Sequence, residues 1–165
     1  MRRSSSAVGL VVLFAGLLVL HYSLRPLLGW RAPVDFLVIG VLLVSVRVRP
    51  GTAAMIGCLA GIAADALSPS SFGAAAIAMT AVAFAASWLK TSFFDEHLAL
   101  NALFLLAGKL SYDAVFLIAE RRLSFGQLLV QLFVWSLLSA VVTAAAGLLV
   151  LVLFRPIIDV DADRS

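Results

Sequence analysis

Four ionisable residues interrupt apolar stretches of this 165-residue chain: Asp35, Asp65, Lys109 and Asp113. A carboxylate or ammonium in a lipid-soluble segment costs at least about 2.5–3.5 kcal/mol at mid-membrane on insertion scales, so such groups turn toward protein or water. Lys109 and Asp113 are four residues apart, which on a helix places them on one face within reach of each other. Asp35 opens one apolar segment and Asp65 lies near the end of another. With alternating segment directions, this predicts three carboxylates and one lysine converging in the outer half of a helical bundle. Two uses are open to such a set. It can be a neutralised internal network that fixes helix register, or a polar cavity that takes a partner segment or a small ligand.

Other chemistry finds little footing. His21 and His97 stand near segment ends, and neither has a Cys or carboxylate at metal-ligand spacing. His97 follows Asp95 and Glu96 in a short polar stretch that reads as interfacial solvation. The single cysteine, Cys58, rules out an intrachain disulfide and a cysteine-based zinc site, and reads as a small packing residue. No nucleophile–base–orienter set, glycine-rich phosphate loop or Walker motif is legible, so neither an enzyme nor a cofactor-binding protein is expected. The net charge of +3 does not point to nucleic acid, because the basic residues flank apolar runs rather than forming a stripe.

The elements that must position these residues follow from composition. Hydrophobic residues make up 63% of the chain and mean hydropathy is +1.11, well above the roughly 45–50% apolar content of soluble domains. The pattern predicts an all-α integral membrane protein, one transmembrane domain over 1–165. It is a six-helix bundle with segments at about 7–24, 33–46, 51–67, 72–89, 97–119 and 127–154. The N-terminal run reads as an uncleaved first span, since no convincing small-residue cleavage site follows it. The second segment is short: some 14 residues rise about 21 Å against a core of about 30 Å. It either borrows Leu27–Trp30, lets Arg47 and Arg49 snorkel, or is a half-span. Arg49-Pro50-Gly51 and Ser68-Pro69-Ser70-Ser71 are turn signals that make segments two to four antiparallel neighbours. Placing both termini in the cytoplasm puts seven Lys/Arg inside (Arg2, Arg3, Arg47, Arg49, Lys90, Arg155, Arg164) against four outside (Arg25, Arg31, Arg121, Arg122), which satisfies the positive-inside rule. The acidic tail, Asp159 to Asp163, reads as solvated.

Ala53, Gly57 and Gly61 recur every four residues on the third segment and form a narrow groove down one helix face. Such faces let helix backbones approach closely. The fourth segment begins Gly73-Ala74-Ala75-Ala76 and stays rich in alanine, so segments three and four can pack on each other; a docking face for another protein's helix is the other use.

The stretch PVDFLVIGVLLVSVRVRPGTAAMIGCLAGIAADALSPSSFGAAAIA resembles the bacterial rod shape-determining MreD family. The resemblance rests on Pro33 and Asp35 opening an apolar helix, then Arg49-Pro50-Gly51 at a tight turn. It continues with Gly57 and Gly61 four apart, Asp65 four further on, and a polar turn ending in Phe72-Gly73. It covers roughly Pro33 to Ala78; elsewhere only length and hydropathy agree, and Lys109 with Asp113 is not a family feature. The resemblance implies a fold similar to the substrate-binding subunits of energy-coupling-factor vitamin transporters. It also implies the bacterial inner membrane and a non-catalytic scaffold in the Rod complex, which elongates the wall and controls cell shape. The implied partner is the bitopic protein MreC, and through it the glycosyltransferase RodA, a class B penicillin-binding transpeptidase and the MreB filament. The alternative is a vitamin-binding transporter subunit, weakened because the first segment lacks an Ala-xxx-Ala face; a small channel lacks any ring of like charge. A homo-oligomer stays open.

Overall fold

A computed structural model describes residues 15, 16, 19, 34–66, 72–93, 98–120 and 125–158. Almost all of the expected first segment, together with Pro33, His21, His97 and the acidic tail, lies outside the described residues. Among those described, the regular elements are all helical. They run α1 (Phe36–Ser45), α2 (Pro50–Asp65), α3 (Ala74–Phe93), α4 (Leu98–Glu120) and α5 (Phe125–Val130). The chain then passes through a π-helical stretch (Gln131–Ser136) into α6 (Leu137–Ile158). Where the sequence predicts one segment over 127–154, the chain makes a single helical run with the π stretch inside it. Val130 and Leu137, on either side, keep ordinary α geometry.

The ten-residue helix α1 is the centre of the molecule. A helix of ten residues rises only about 15 Å, so within the expected 33–46 span the regular helix covers half of a bilayer core. Every residue from Leu37 to Ser45 is buried, which means that α1 is enclosed around its whole circumference. Two glycines on its neighbours make that enclosure close. A Cβ on Gly108 of α4 would meet Leu42 Cδ1 at 2.7 Å, and one on Gly147 of α6 would come within 3.5 Å of Ile39. Val46 to Arg49 then turn the chain, and Pro50, which has no N–H to leave unpaired, starts α2. Ser87 of α3 donates a 2.7 Å hydrogen bond to the Val48 carbonyl in that turn.

Helices α2 and α3 form the tightest pair. The cause is the row Ala53, Gly57 and Gly61, all buried. A Cβ on Gly57 would lie 2.8 Å from Ala83 Cβ and collide with the Met79 carbonyl; one on Gly61 would lie 2.6 Å from the Ala75 carbonyl oxygen and collide with Ala76 Cα. Helix α4 packs on α3 on one side and on α6 on the other. The outward faces are apolar: Met55 and Leu59 on α2, Phe84 and Trp88 on α3, Ile118 on α4, and Leu149 and Leu153 on α6 are all at least half exposed. Two helical stretches among the described residues, Leu98–Glu120 and Gln131–Leu153, are long and apolar enough to cross a membrane.

Candidate functional site

Lys109 is the middle residue of the 23 in α4. Its ammonium is the hub of the site. Nζ lies 2.6 Å from Asp113 Oδ1, one turn along the same helix, and 3.0 Å from Asp35 Oδ2 at the start of α1. The Lys109 side chain is 5% exposed, against 20% for Asp35 and 13% for Asp113, so a buried ammonium is held between two partly buried carboxylates. Buried charges need both opposite charge and hydrogen bonds to offset desolvation, and the arrangement supplies both. Nζ also stands 4.9 Å from the centroid of the Tyr112 ring, a cation–π contact. Tyr112 in turn stacks on Phe116 with centroids 5.8 Å apart.

Asp35 reaches this position because of how α1 begins. Aspartate is a favoured helix N-cap, yet here its side chain makes no cap bond. Its carboxylate turns to Lys109 instead, while its carbonyl accepts the first helical bond from the Ile39 N–H. Its own N–H donates to Thr143 Oγ1 at 3.2 Å, which fastens the start of α1 to α6. The beginning of the central helix is therefore anchored at the midpoint of α4.

Above that point lies a cavity of about 320 Å³. Asp35, Lys109 and Asp113 form one end of it. Tyr112, Phe116, Leu117 and Glu120 continue along α4, and Gln131, Trp135, Ser136 and Ser139 line the facing wall. The Ser136 hydroxyl donates to the Asp113 carboxylate. Gln131 and Ser136 bracket the π-helical stretch, whose i→i+5 bonding brings residues five apart to one side. An uninterrupted α-helix would carry them apart. Single-turn π stretches are found disproportionately at functional sites. A larger cavity of about 560 Å³ lies between α3 and α4, over Leu42; among the described residues its lining is apolar apart from Ser111.

Of the residues expected in the polar cluster, the structure thus brings Asp35, Lys109 and Asp113 together. Asp65 is placed differently from the expectation. It is 1% exposed, and its carboxylate accepts from the N–H groups of Gly73 (2.9 Å), Ala75 (3.1 Å) and Ala76 (2.9 Å). The first N–H groups of a helix lack intrahelical acceptors and carry the positive end of its dipole. The start of α3 therefore neutralises Asp65 without a lysine. Gly73, at φ +97°, supplies the left-handed turn that aims its N–H at this carboxylate. Ala53, Gly57, Gly61 and Gly73 belong to this α2–α3 contact. The groove read from their spacing is filled by α3 itself, so that face is not open to a second protein's helix. Pro33 lies outside the described residues.

Sequence reading did not single out Gln131, Trp135, Ser136, Ser139, Tyr112 or Thr143. A signal was there. Gln131, Trp135 and Ser139 recur every four residues within the longest apolar run of the chain, a polar stripe that faces protein if the rest faces lipid. Comparison with protein-family models, with characterised proteins and with solved structures gives no match to this chain.

Proposed function

We propose that this chain is a multi-pass protein of the bacterial inner membrane and a non-catalytic scaffold of the MreD kind. In this reading it holds the bitopic protein MreC, and through it the wall-elongating RodA, a class B penicillin-binding transpeptidase and MreB. The family part of the reading rests on the resemblance over Pro33 to Ala78; the observation that supplies a binding site is the ion-paired triad sunk at the midpoint of an apolar helix and facing a polar cavity. Ionisable groups at that depth are costly and mark sites where a partner, ligand or ion is handled.

The membrane setting is supported by the two long apolar helices. Only 22% and 33% of their most apolar stretches are buried, whereas the core helix of a soluble protein would be mostly buried. Their remaining apolar surface suits contact with lipid. With Arg47 and Arg49 on the cytoplasmic side, α2 runs outward, α3 inward, α4 outward and α5–α6 inward. The sequence segment 7–24 provides the first of six crossings, and both termini are cytoplasmic. The described helix of the second crossing is α1. Asp35 and Lys109 sit near mid-membrane, and the polar cavity extends outward from them toward Glu120, about 16 Å along α4. Its outer side is where the periplasmic part of a bitopic partner would enter the membrane.

The test is co-purification of the tagged protein with co-expressed MreC. Asp113→Asn and Ser139→Leu are expected to cut recovery of the partner several-fold in correctly inserted protein. Full recovery with both variants removes the cavity from the interaction. The cavity volume also falls in the range of small-molecule sites, roughly 300–1,000 Å³. This favours, as a second reading, a vitamin-type binding subunit of a transporter. Native mass spectrometry of the purified protein separates the two, since a retained small molecule would be seen only on the second reading.

A further inference from the structure

We infer that the apolar cleft between α3 and α4 holds one acyl chain of an anionic phospholipid, whose phosphate meets Arg47 and Arg49. The inference rests on the membrane setting proposed above and not on the choice of partner. Three observations support it.

The first is the cleft itself, with a volume of about 560 Å³. Leu42 of α1, Val82 of α3 and Phe104 of α4 are buried at its floor, while Ala85, Ala107 and Ser111 stand exposed at its mouth. It therefore opens on the outward surface of the bundle. Between α2 and α3 the small residues bring two backbones into contact. Between α3 and α4 the Leu42 side chain lies at the base, and the short side chains beyond it leave volume. Apolar walls with nothing against them forfeit dispersion contacts, and a hydrocarbon chain restores them.

The second is depth. The lining runs along α3 from Ala81 to Leu89 and along α4 from Leu103 to Val115, about 12 and 18 Å of helix rise. One leaflet's share of a hydrocarbon core is about 15 Å. In the orientation proposed above, Leu89 and Leu103 mark the cytoplasmic end of the cleft, and Val115 stands just beyond Lys109. The cleft thus covers the depth that acyl chains of the inner leaflet occupy.

The third is charge at that end. Ser87 of α3, which stands between the lining residues Ala86 and Leu89, donates its 2.7 Å hydrogen bond to the Val48 carbonyl. This ties the turn between α1 and α2 to the Leu89 end of the cleft. Arg47 and Arg49 flank Val48 in that turn and are exposed, and neither guanidinium makes an ion pair or hydrogen bond with a described residue. A guanidinium keeps its charge, and its fork matches phosphate oxygens. Basic groups at a membrane surface attract anionic lipid. Asp95 and Glu96 follow α3 in the connection 94–97, outside the described residues. Recognition is therefore assigned to the two guanidinium groups and not to net charge at that end.

The experiment uses the full-length protein in a mild detergent, offered phosphatidylglycerol or phosphatidylethanolamine with the same acyl chains. Native mass spectrometry counts the lipid retained. Phosphatidylglycerol is expected to be retained about tenfold better. Arg47→Gln with Arg49→Gln is expected to lower it to the level of phosphatidylethanolamine. Ala85→Leu with Ala107→Leu, which fills the cleft from its mouth, is expected to remove the retained phosphatidylglycerol. In the unaltered protein, phosphatidylglycerol carrying a diazirine in one chain is expected to label residues within 81–89 and 103–115. Equal retention of the two lipids, unchanged retention in either double variant, or label confined to other segments overturns the inference. A second copy of the chain crosslinked through 81–89 and 103–115 in place of lipid also overturns it. Carbonate washing of bacterial membranes separates this inference from the reading beneath it. Protein that stays in the membrane yet shows no lipid preference removes the lipid site and leaves the membrane reading standing. Protein washed free removes both.

Discussion

Asp65 and Asp113 are the same residue type, both enclosed and both on helices with small neighbours, yet they do different work. Asp65 meets three backbone N–H groups at the start of α3, where Gly61 and Ala76 close the space around it. Its partners are fixed main chain, and no cavity adjoins it among those described. Asp113 meets two side chains, Lys109 and Ser136, and borders open volume. A carboxylate held by main chain locks one helix against another. One held by side chains beside a void can exchange partners. The difference lies less in the acid than in what surrounds its unused lone pairs.

This contrast can be broken in order of expected effect. Lys109→Met removes the buried ammonium that Asp35 and Asp113 share, and should cost about 3–5 kcal/mol. Thermal unfolding in detergent should show it, and adding Asp35→Asn and Asp113→Asn should restore most of the loss. At the other site, Gly61→Leu drives a side chain into the α3 backbone and should cost about 1–3 kcal/mol or more, because the obstacle is main chain and cannot rotate away. Gly51→Leu, on the same helix with open space at its Cβ, is the matched control and should be near neutral. Asp65→Ala strands three N–H groups, with an expected loss of about 1–3 kcal/mol. Partner recovery should fall no more than folded protein does, in contrast to Asp113→Asn. The smallest effect is expected for Gly73→Ala, about 1–2 kcal/mol for a left-handed residue that gains a Cβ.

How far the sequence carried this picture depends on which physical signal it held. The i, i+4 spacing of Lys109 and Asp113 was enough to place them together, because helix periodicity alone determines it. The recruitment of Asp35 followed from an acid at the start of an apolar segment, although nothing in the sequence showed that α1 would be only ten residues long. The small-residue row at Ala53, Gly57 and Gly61 was plain, but spacing cannot say whether a groove is filled from within the chain or from outside it. Asp65 was misplaced for a related reason. A carboxylate's partner can be backbone, and backbone donors have no letter in the sequence. The π-helical stretch was hidden as well: Gln131 to Ser136 contains no proline or glycine to announce a register change. Nothing in the spacing of Gly108 and Gly147 shows that α1 packs closely against both.

The central claim is that the triad sits at the closed end of a polar space reachable from one side of a membrane only. Thiol accessibility tests it most directly. In a Cys58→Ala background, single cysteines at Gln131, Ser139 and Leu149 would be exposed to a membrane-impermeant methanethiosulfonate in intact cells and in inverted vesicles. The account predicts modification at 131 and 139 from the periplasmic side alone, slower at 139, with none at the outward apolar position 149. Modification at 131 and 139 from the cytoplasmic side, or protection equal to that of 149 from both sides, would contradict it.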